Sequence, residues 1–156
     1  MQINQYSAKM FEGDAVEEVW GDVECLVQKF AEWGRGEFQT EDVLSEIRAK
    51  HMQLWVYYEG SEILLICVTQ ILQFPRRKIC NFYGVAGRKM HRMWQLFSSY
   101  GLNWLRVNGI EEIQTTCRDE IAEKIQTMGF TKLVNVMRFD PEIYERMRDE
   151  QEQTAT

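Results

Sequence analysis

Apolar residues recur at three- and four-residue spacing from 14 to 33, where Val16, Val19, Trp20, Val23, Val27, Phe30 and Ala31 predict an amphipathic helix. Asp14 followed by Glu17 supplies a capping-box pattern at its start, and Gly34 and Gly36 mark its end. Thr40 is placed to cap a second, shorter helix with Val43, Leu44 and Ile47 on one face. The period then drops from 3.6 to 2. Leu54 to Tyr58, the turn Glu59-Gly60-Ser61 and Ile63 to Leu72 predict an antiparallel hairpin, with Trp55 and Tyr57 on one face and Tyr58 on the other. Pro75 closes the second of these strands, Arg76, Arg77 and Lys78 make an exposed turn, and Ile79 to Tyr83 form a third strand that runs into a glycine turn, Gly84 to Gly87.

Helical spacing returns from Arg88 to Val107 through Met90, Met93, Trp94, Phe97, Trp104 and Leu105, and Asn108-Gly109 stops the helix. Ile110 to Thr116 predict a strand, Asp119 opens a shorter helix ending at Gly129, and Phe130 to Phe139 predict a last strand. Asp140-Pro141 then reads as an N-cap followed by a first-turn proline, opening a charged helical tail. A strand before the first helix is optional. The order is that of an α+β domain with a mixed, mostly antiparallel sheet, spanning residues 1–140 and followed by a tail at 141–156. The passage from third strand through long helix to the next strand is a β-α-β unit, which demands a right-handed parallel crossover.

Composition narrows the function classes. With 156 residues, 45% hydrophobic and 27% charged, the chain has material for one packed core. Its net charge of -6 disfavours a generic nucleic-acid backbone binder. The longest apolar run, Ile63 to Val68, is strand-length, so no membrane span is expected, and the polar start carries no secretory signal; the expected location is the cytoplasm. Cys25, Cys67, Cys80 and Cys117 lie far apart among apolar neighbours and are expected to be buried free thiols; with His51 and His91 also isolated, no metal is expected.

The chemistry concentrates at the strand-to-helix passage. Gly84, Val85, Ala86 and Gly87 would expose backbone N–H groups at the positive end of a helix dipole, with Arg88 and Lys89 adding charge: an anion site, with a tight turn that binds no ligand as the alternative. No GxxxxGK[ST] and no GxGxxG is present.

In this order of elements, Asn81-Phe82-Tyr83-Gly84-Val85-Ala86 resembles motif A of the GNAT acyltransferases, (Gln/Arg)-x-x-Gly-x-(Gly/Ala), with Asn81 in place of the leading Gln or Arg. Gly129-Phe130 is similar to the Gly-Phe that ends the fourth helix in that family. The resemblance covers residues 1–140. It is closer to the small GNAT-like proteins of tailed bacteriophages, on Gln53-Leu54-Trp55, Val68-Thr69, Phe74-Pro75-Arg76, Gly84 to Gly87, Trp94, Trp104, Arg118 and Gly129-Phe130.

That resemblance implies an acetyl-CoA or other acyl-CoA cofactor held by Asn81, Gly84, Val85, Ala86, Gly87, Arg88 and Lys89, and a small-molecule or protein amine as acceptor. In the family a Tyr four residues before the Gly of Gly-Phe often serves as acid; that position is Ile125 here, and the third strand of the hairpin sheet carries no carboxylate base. Tyr83 and Cys117 remain as catalytic candidates, the first only with a strongly lowered pKa and the second with a packing role as its alternative. Arg118 could pair with a phosphate, a carboxylate substrate, or its neighbours Asp119 and Glu120. The implied function is an N-acyltransferase-like protein with a degenerate active site. The alternative is a non-catalytic virion component or adaptor whose partners are phage structural proteins.

Overall fold

The computed structural model describes residues 5–34 and 36–155; the outer ends of the expected domain and tail, 1–4 and 156, lie outside these. The chain divides into two compact units, 1–117 and 118–156.

The first unit is built on a five-stranded sheet in sequential order: β1 (Tyr6–Phe11), β2 (Met52–Glu59), β3 (Glu62–Gln73), β4 (Lys78–Gly87) and β5 (Glu112–Thr115). The first three pairings are antiparallel and β4 with β5 is parallel, the mixed sheet that the sequence predicts. Period-2 alternation sorts the side chains onto two faces. Leu54, Val56, Ile66, Val68 and Ala86 pack under helices α1 (Trp20–Trp33) and α2 (Thr40–Arg48), against Val23, Val27, Phe30, Val43 and Ile47. Trp55, Tyr57, Leu65, Cys67, Cys80 and Phe82 pack on the opposite face under α3 (Met90–Val107), against Phe97 and Leu105. Helices cover both sides of the central strands, so β2 is buried over its first six residues instead of alternating in and out.

Several boundaries differ from those the pattern predicts. Residues Gly13–Glu18 form a 3-10 turn ahead of α1, and no side-chain cap forms at either start, so the Asp14 and Glu17 pattern is not used. Thr40 is the first residue of α2; the Gln39 N–H is instead held by Asp42 Oδ2 at 2.8 Å. The optional first strand exists as β1, and α3 begins at Met90.

The largest correction is at the glycines. Gly84 to Gly87 are not a turn but the last four residues of β4, because β3 is twelve residues long and Leu65 to Val68 continue the ladder opposite them. A Cβ on Gly84 would collide with the Phe30 ring, and one on Gly87, at φ +133°, with the backbone of Leu64 and Leu65. These glycines permit close approach of a ring and of a neighbouring strand.

The second unit holds α4 (Asp119–Gln126) and α5 (Pro141–Thr154). Asp140 caps α5 as predicted, accepting from the Glu142 N–H at 3.0 Å. The strand expected at Phe130 to Phe139 does not form: among the described residues no strand pairs with this segment, and a β-prone sequence without a ladder partner has no reason to stay a strand. Leu133, Val134, Val136, Met137 and Phe139 are all exposed.

Candidate active site

β4 and β5 part company at a defined point. Their pairing runs from Ile79 opposite Glu112 to Phe82 opposite Thr115, and the Thr115 hydroxyl donates to the Phe82 carbonyl at 3.1 Å at the base of the fork. β4 continues for five more residues, Tyr83 to Gly87, with β3 on one side and no strand on the other among the described residues. The break coincides with a bulge: Thr69 of β3 faces Phe82 and Val68 faces Gly84, leaving Tyr83 as the extra residue. Bulges bend a strand and re-aim its side chains, which is why they gather beside active sites.

The register also says which backbone groups face the fork. The Arg88 N–H donates to the Leu64 carbonyl at 2.8 Å, which makes that pair a hydrogen-bonded one. Antiparallel pairs alternate, so Ala86 and Gly84 also spend their backbone groups on β3, while Val85 turns its N–H and C=O to the edge that β5 has left. Of the backbone groups expected to meet a ligand, those of Val85 and, by the same alternation, Gly87 are open along this edge, and the Arg88 amide is already used.

Beyond β4 comes the start of α3, whose first N–H groups have no intrahelical partner and no side-chain cap. Lys89 is the N-cap residue and adopts the left-handed conformation, φ 55°. Both cations expected to flank an anion are engaged by carboxylates of the β2–β3 turn: Lys89 Nζ lies 2.8 Å from Glu59, and Arg88 lies 3.6 Å from Glu62. The Lys89 hydrogen bond holds the Glu59 carboxyl below the usual carboxylate range, and Glu59 in turn raises the Lys89 ammonium, so the pair is fully ionised at neutral pH. Met90, the first residue of α3, is exposed.

Tyr83 faces the other way, toward α1 and α2. Its ring packs against Phe38 at 4.9 Å between centroids, and burial, with Asp42 and Glu46 nearby, pushes its hydroxyl above the ordinary tyrosine value. The shift is opposite to the lowering that a phenolate base requires; this hydroxyl keeps its proton and can donate it. Asn81 lies two residues before Tyr83 within the paired part of β4, between Gln70 and Gln114, and is half-buried.

Phe38 also lines a solvent-open hollow of about 400 Å³ between α1 and the start of α2, with Glu24, Gln28, Glu32, Gln39 and Glu41. Phe38 thus ties an acidic hollow to the bulge. The hollow has no signature in the linear pattern, because its carboxylates come from the solvent faces of two helices.

Cys117 follows β5 by two residues at the end where the fork opens; it is exposed, and so is Cys25, whereas Cys67 and Cys80 are the two buried thiols. The expectation of four buried cysteines therefore fails for two of them: Cys25 lies on the solvent face of α1, and Cys117 lies in the stretch that follows β5. Arg118 opens the second unit as the residue before α4. The structure thus brings together Asn81, Tyr83 and Gly84 to Lys89 along one strand and its exit. Among the described residues no group of three His, Cys, Asp or Glu could hold a metal ion, and no helix is long and apolar enough to cross a membrane.

No protein-family model matches the chain, and no curated protein matches it. Solved structures do. The chain is similar to an aminoglycoside acetyltransferase from an uncultured soil metagenomic sample in complex with sisomicin, with a TM-score of 0.63 and 11% identity over 88% of this chain and 95% of that one. It is similar to a protein from Clostridium acetobutylicum described as a predicted acetyltransferase with acetyl-CoA, with a TM-score of 0.61 and 9% identity over 86% and 96%. It is also similar to an aminoglycoside N-acetyltransferase in complex with CoA, with a TM-score of 0.64 and 13% identity over 86% and 93%. At such identities the likeness is one of architecture: this chain has the α+β fold of the GNAT acetyltransferases.

Proposed function

We propose that this protein is an acyl-CoA-dependent N-acyltransferase-like protein that binds its thioester along the open edge of β4. The observation that carries the reading is the fork: β4 runs five residues past β5 and leads directly to the uncapped start of α3. An extended arm bearing amides can pair with the Val85 backbone as a strand would, and its phosphates suit the helix N-terminus with Arg88 and Lys89 beside it. The Gly87 backbone extends this edge, Gly84 and Ala86 stay paired with β3, and Asn81 stands before the fork, where β4 is still paired with β5. Bound acyl-CoA supplies an activated acyl group.

The acceptor in this reading is a small-molecule amine. The solved structures of the same fold include aminoglycoside acetyltransferases, and the hollow with Glu24, Glu32 and Glu41 would draw a cation toward Phe38 and Tyr83. Transfer needs a proton removed from the ammonium and one delivered to the departing thiolate. Tyr83 keeps its proton, but its raised pKa and its ring turned toward α1 and α2 make it a poor donor for the second task; Cys117 is the other candidate at the fork's open end. No carboxylate on β4 serves the first task, and Ile125 stands where the family often has Tyr, so a bound water or the solution must take that proton.

Acetyl-CoA at 100 times its dissociation constant should stabilise the protein by about 2.7 kcal/mol. A thermal melt with millimolar acetyl-CoA that shows no shift would remove the enzymatic reading. A second reading, a non-catalytic head, tail or ejection component or adaptor of a tailed phage, is favoured by the missing carboxylate and by the exposed apolar run from Leu133 to Phe139. Mass spectrometry of purified virions tests that reading directly.

A further inference from the structure

Of the two cations beside the start of α3, only one is locked. Arg88 and Glu62 lie 3.6 Å apart with side chains 65% and 75% exposed, a loose pair that water screens. Lys89 and Glu59 lie 2.8 Å apart with exposures of 41% and 22%. Glu59 is itself held from the far edge of the sheet, by the Gln5 side-chain amide and by the Tyr6 hydroxyl at 3.4 Å. The Tyr6 ring also meets the Lys89 ammonium at 5.8 Å and the Arg92 guanidinium at 5.2 Å. Tyr6 of β1 and Glu59 of β2 therefore meet on one lysine.

That lysine is the N-cap of α3 in a left-handed conformation, which a side chain other than glycine or asparagine adopts only when its surroundings hold it there. Its ammonium is tied to Glu59 and its carbonyl accepts from the Arg92 N–H at 2.8 Å. The same carboxylate places a full negative charge against the cation that a ligand phosphate would seek, so an incoming anion must displace Glu59 from Lys89 or tolerate it nearby. Stability of the helix start and affinity for an anion are thus set against each other at one residue.

Resting on the acyl-CoA reading above, we propose that Glu59 is a positioning residue that acts as an internal competitor for Lys89, weakening anionic ligand binding while securing the N-cap of α3. The test uses the full chain and acetyl-CoA, with calorimetry for affinity and a thermal melt for stability. Glu59→Gln should bind acetyl-CoA about two- to fivefold more tightly, the size expected of one charge at a partly exposed site, and should melt at a lower temperature. Glu59→Asp, which keeps the charge, should bind like the wild type. In a Lys89→Met background the effect of Glu59→Gln on affinity should vanish. A purely structural role would lower both affinity and melting temperature. If the wild type binds but Glu59→Gln binds equally or more weakly, the competitor role is overturned and the acyl-CoA reading stands. If neither the wild type nor any variant binds, both fall together.

Discussion

Tyr57 shows how a single polar atom can sit at odds with its surroundings. Its side chain is fully buried under α3, and its hydroxyl is the one buried side-chain polar atom without a partner among the described residues. Burial, with the Cys67 and Cys80 thiols nearby, pushes its pKa far up, so the group stays neutral and unsatisfied. A buried unpaired hydroxyl costs about 1–3 kcal/mol. Tyr57→Phe should therefore raise stability by about 1 kcal/mol, read from urea unfolding; a loss would mean that the hydroxyl has found a partner. By contrast, neighbouring polar groups are satisfied: the Trp55 indole donates to Thr69 at 3.0 Å, and the Thr69 hydroxyl donates to Gln53 at 3.0 Å. The pattern of the strand foretold that Trp55 and Tyr57 share a face, but not which of them would be paired, because the acceptor of the Trp55 indole comes from β3.

Strand β4 carries most of the functional argument, and each of its glycines has a neighbour that explains it. Gly84 lies under the Phe30 ring of α1, so Gly84→Ala must push a buried aromatic aside and should destabilise by about 1–3 kcal/mol. Urea unfolding checks this, and Phe30→Leu in the same chain should recover part of the loss; no recovery would mean the strain lies in the backbone. Strand, helix and order were legible here from residue type alone. The extent of β4 was not. Glycine weakens a strand in isolation, and only the length of β3 opposite kept Gly84 to Gly87 in the sheet. The reverse happened at Phe130 to Phe139, where strand-forming residues lack a ladder.

Across the whole molecule, layering decides which reactive groups meet solvent. Cys67 and Cys80 lie between the sheet and α3, where burial raises both thiols, Cys80 to about 12. Cys25 and Cys117 are exposed. A thiol reagent at neutral pH should label Cys25 and Cys117 quickly and Cys67 and Cys80 only after denaturation, since the thiolate is the reacting species. Peptide mapping after a short pulse would show this; prompt labelling of Cys67 would contradict the packing of α3 on the sheet.

Local pattern alone determined the helices, the hairpin and the parallel crossover. Periodicity and turn residues act over a few positions, and those positions are adjacent in the chain. Tertiary structure decided where β4 leaves β5, that Val85 faces the opening, that Glu59 claims Lys89, and that carboxylates of α1 and α2 line a hollow next to Tyr83. Each of these is a meeting of residues far apart in the chain, fixed by register and packing between elements, and no spacing along the sequence encodes such a meeting.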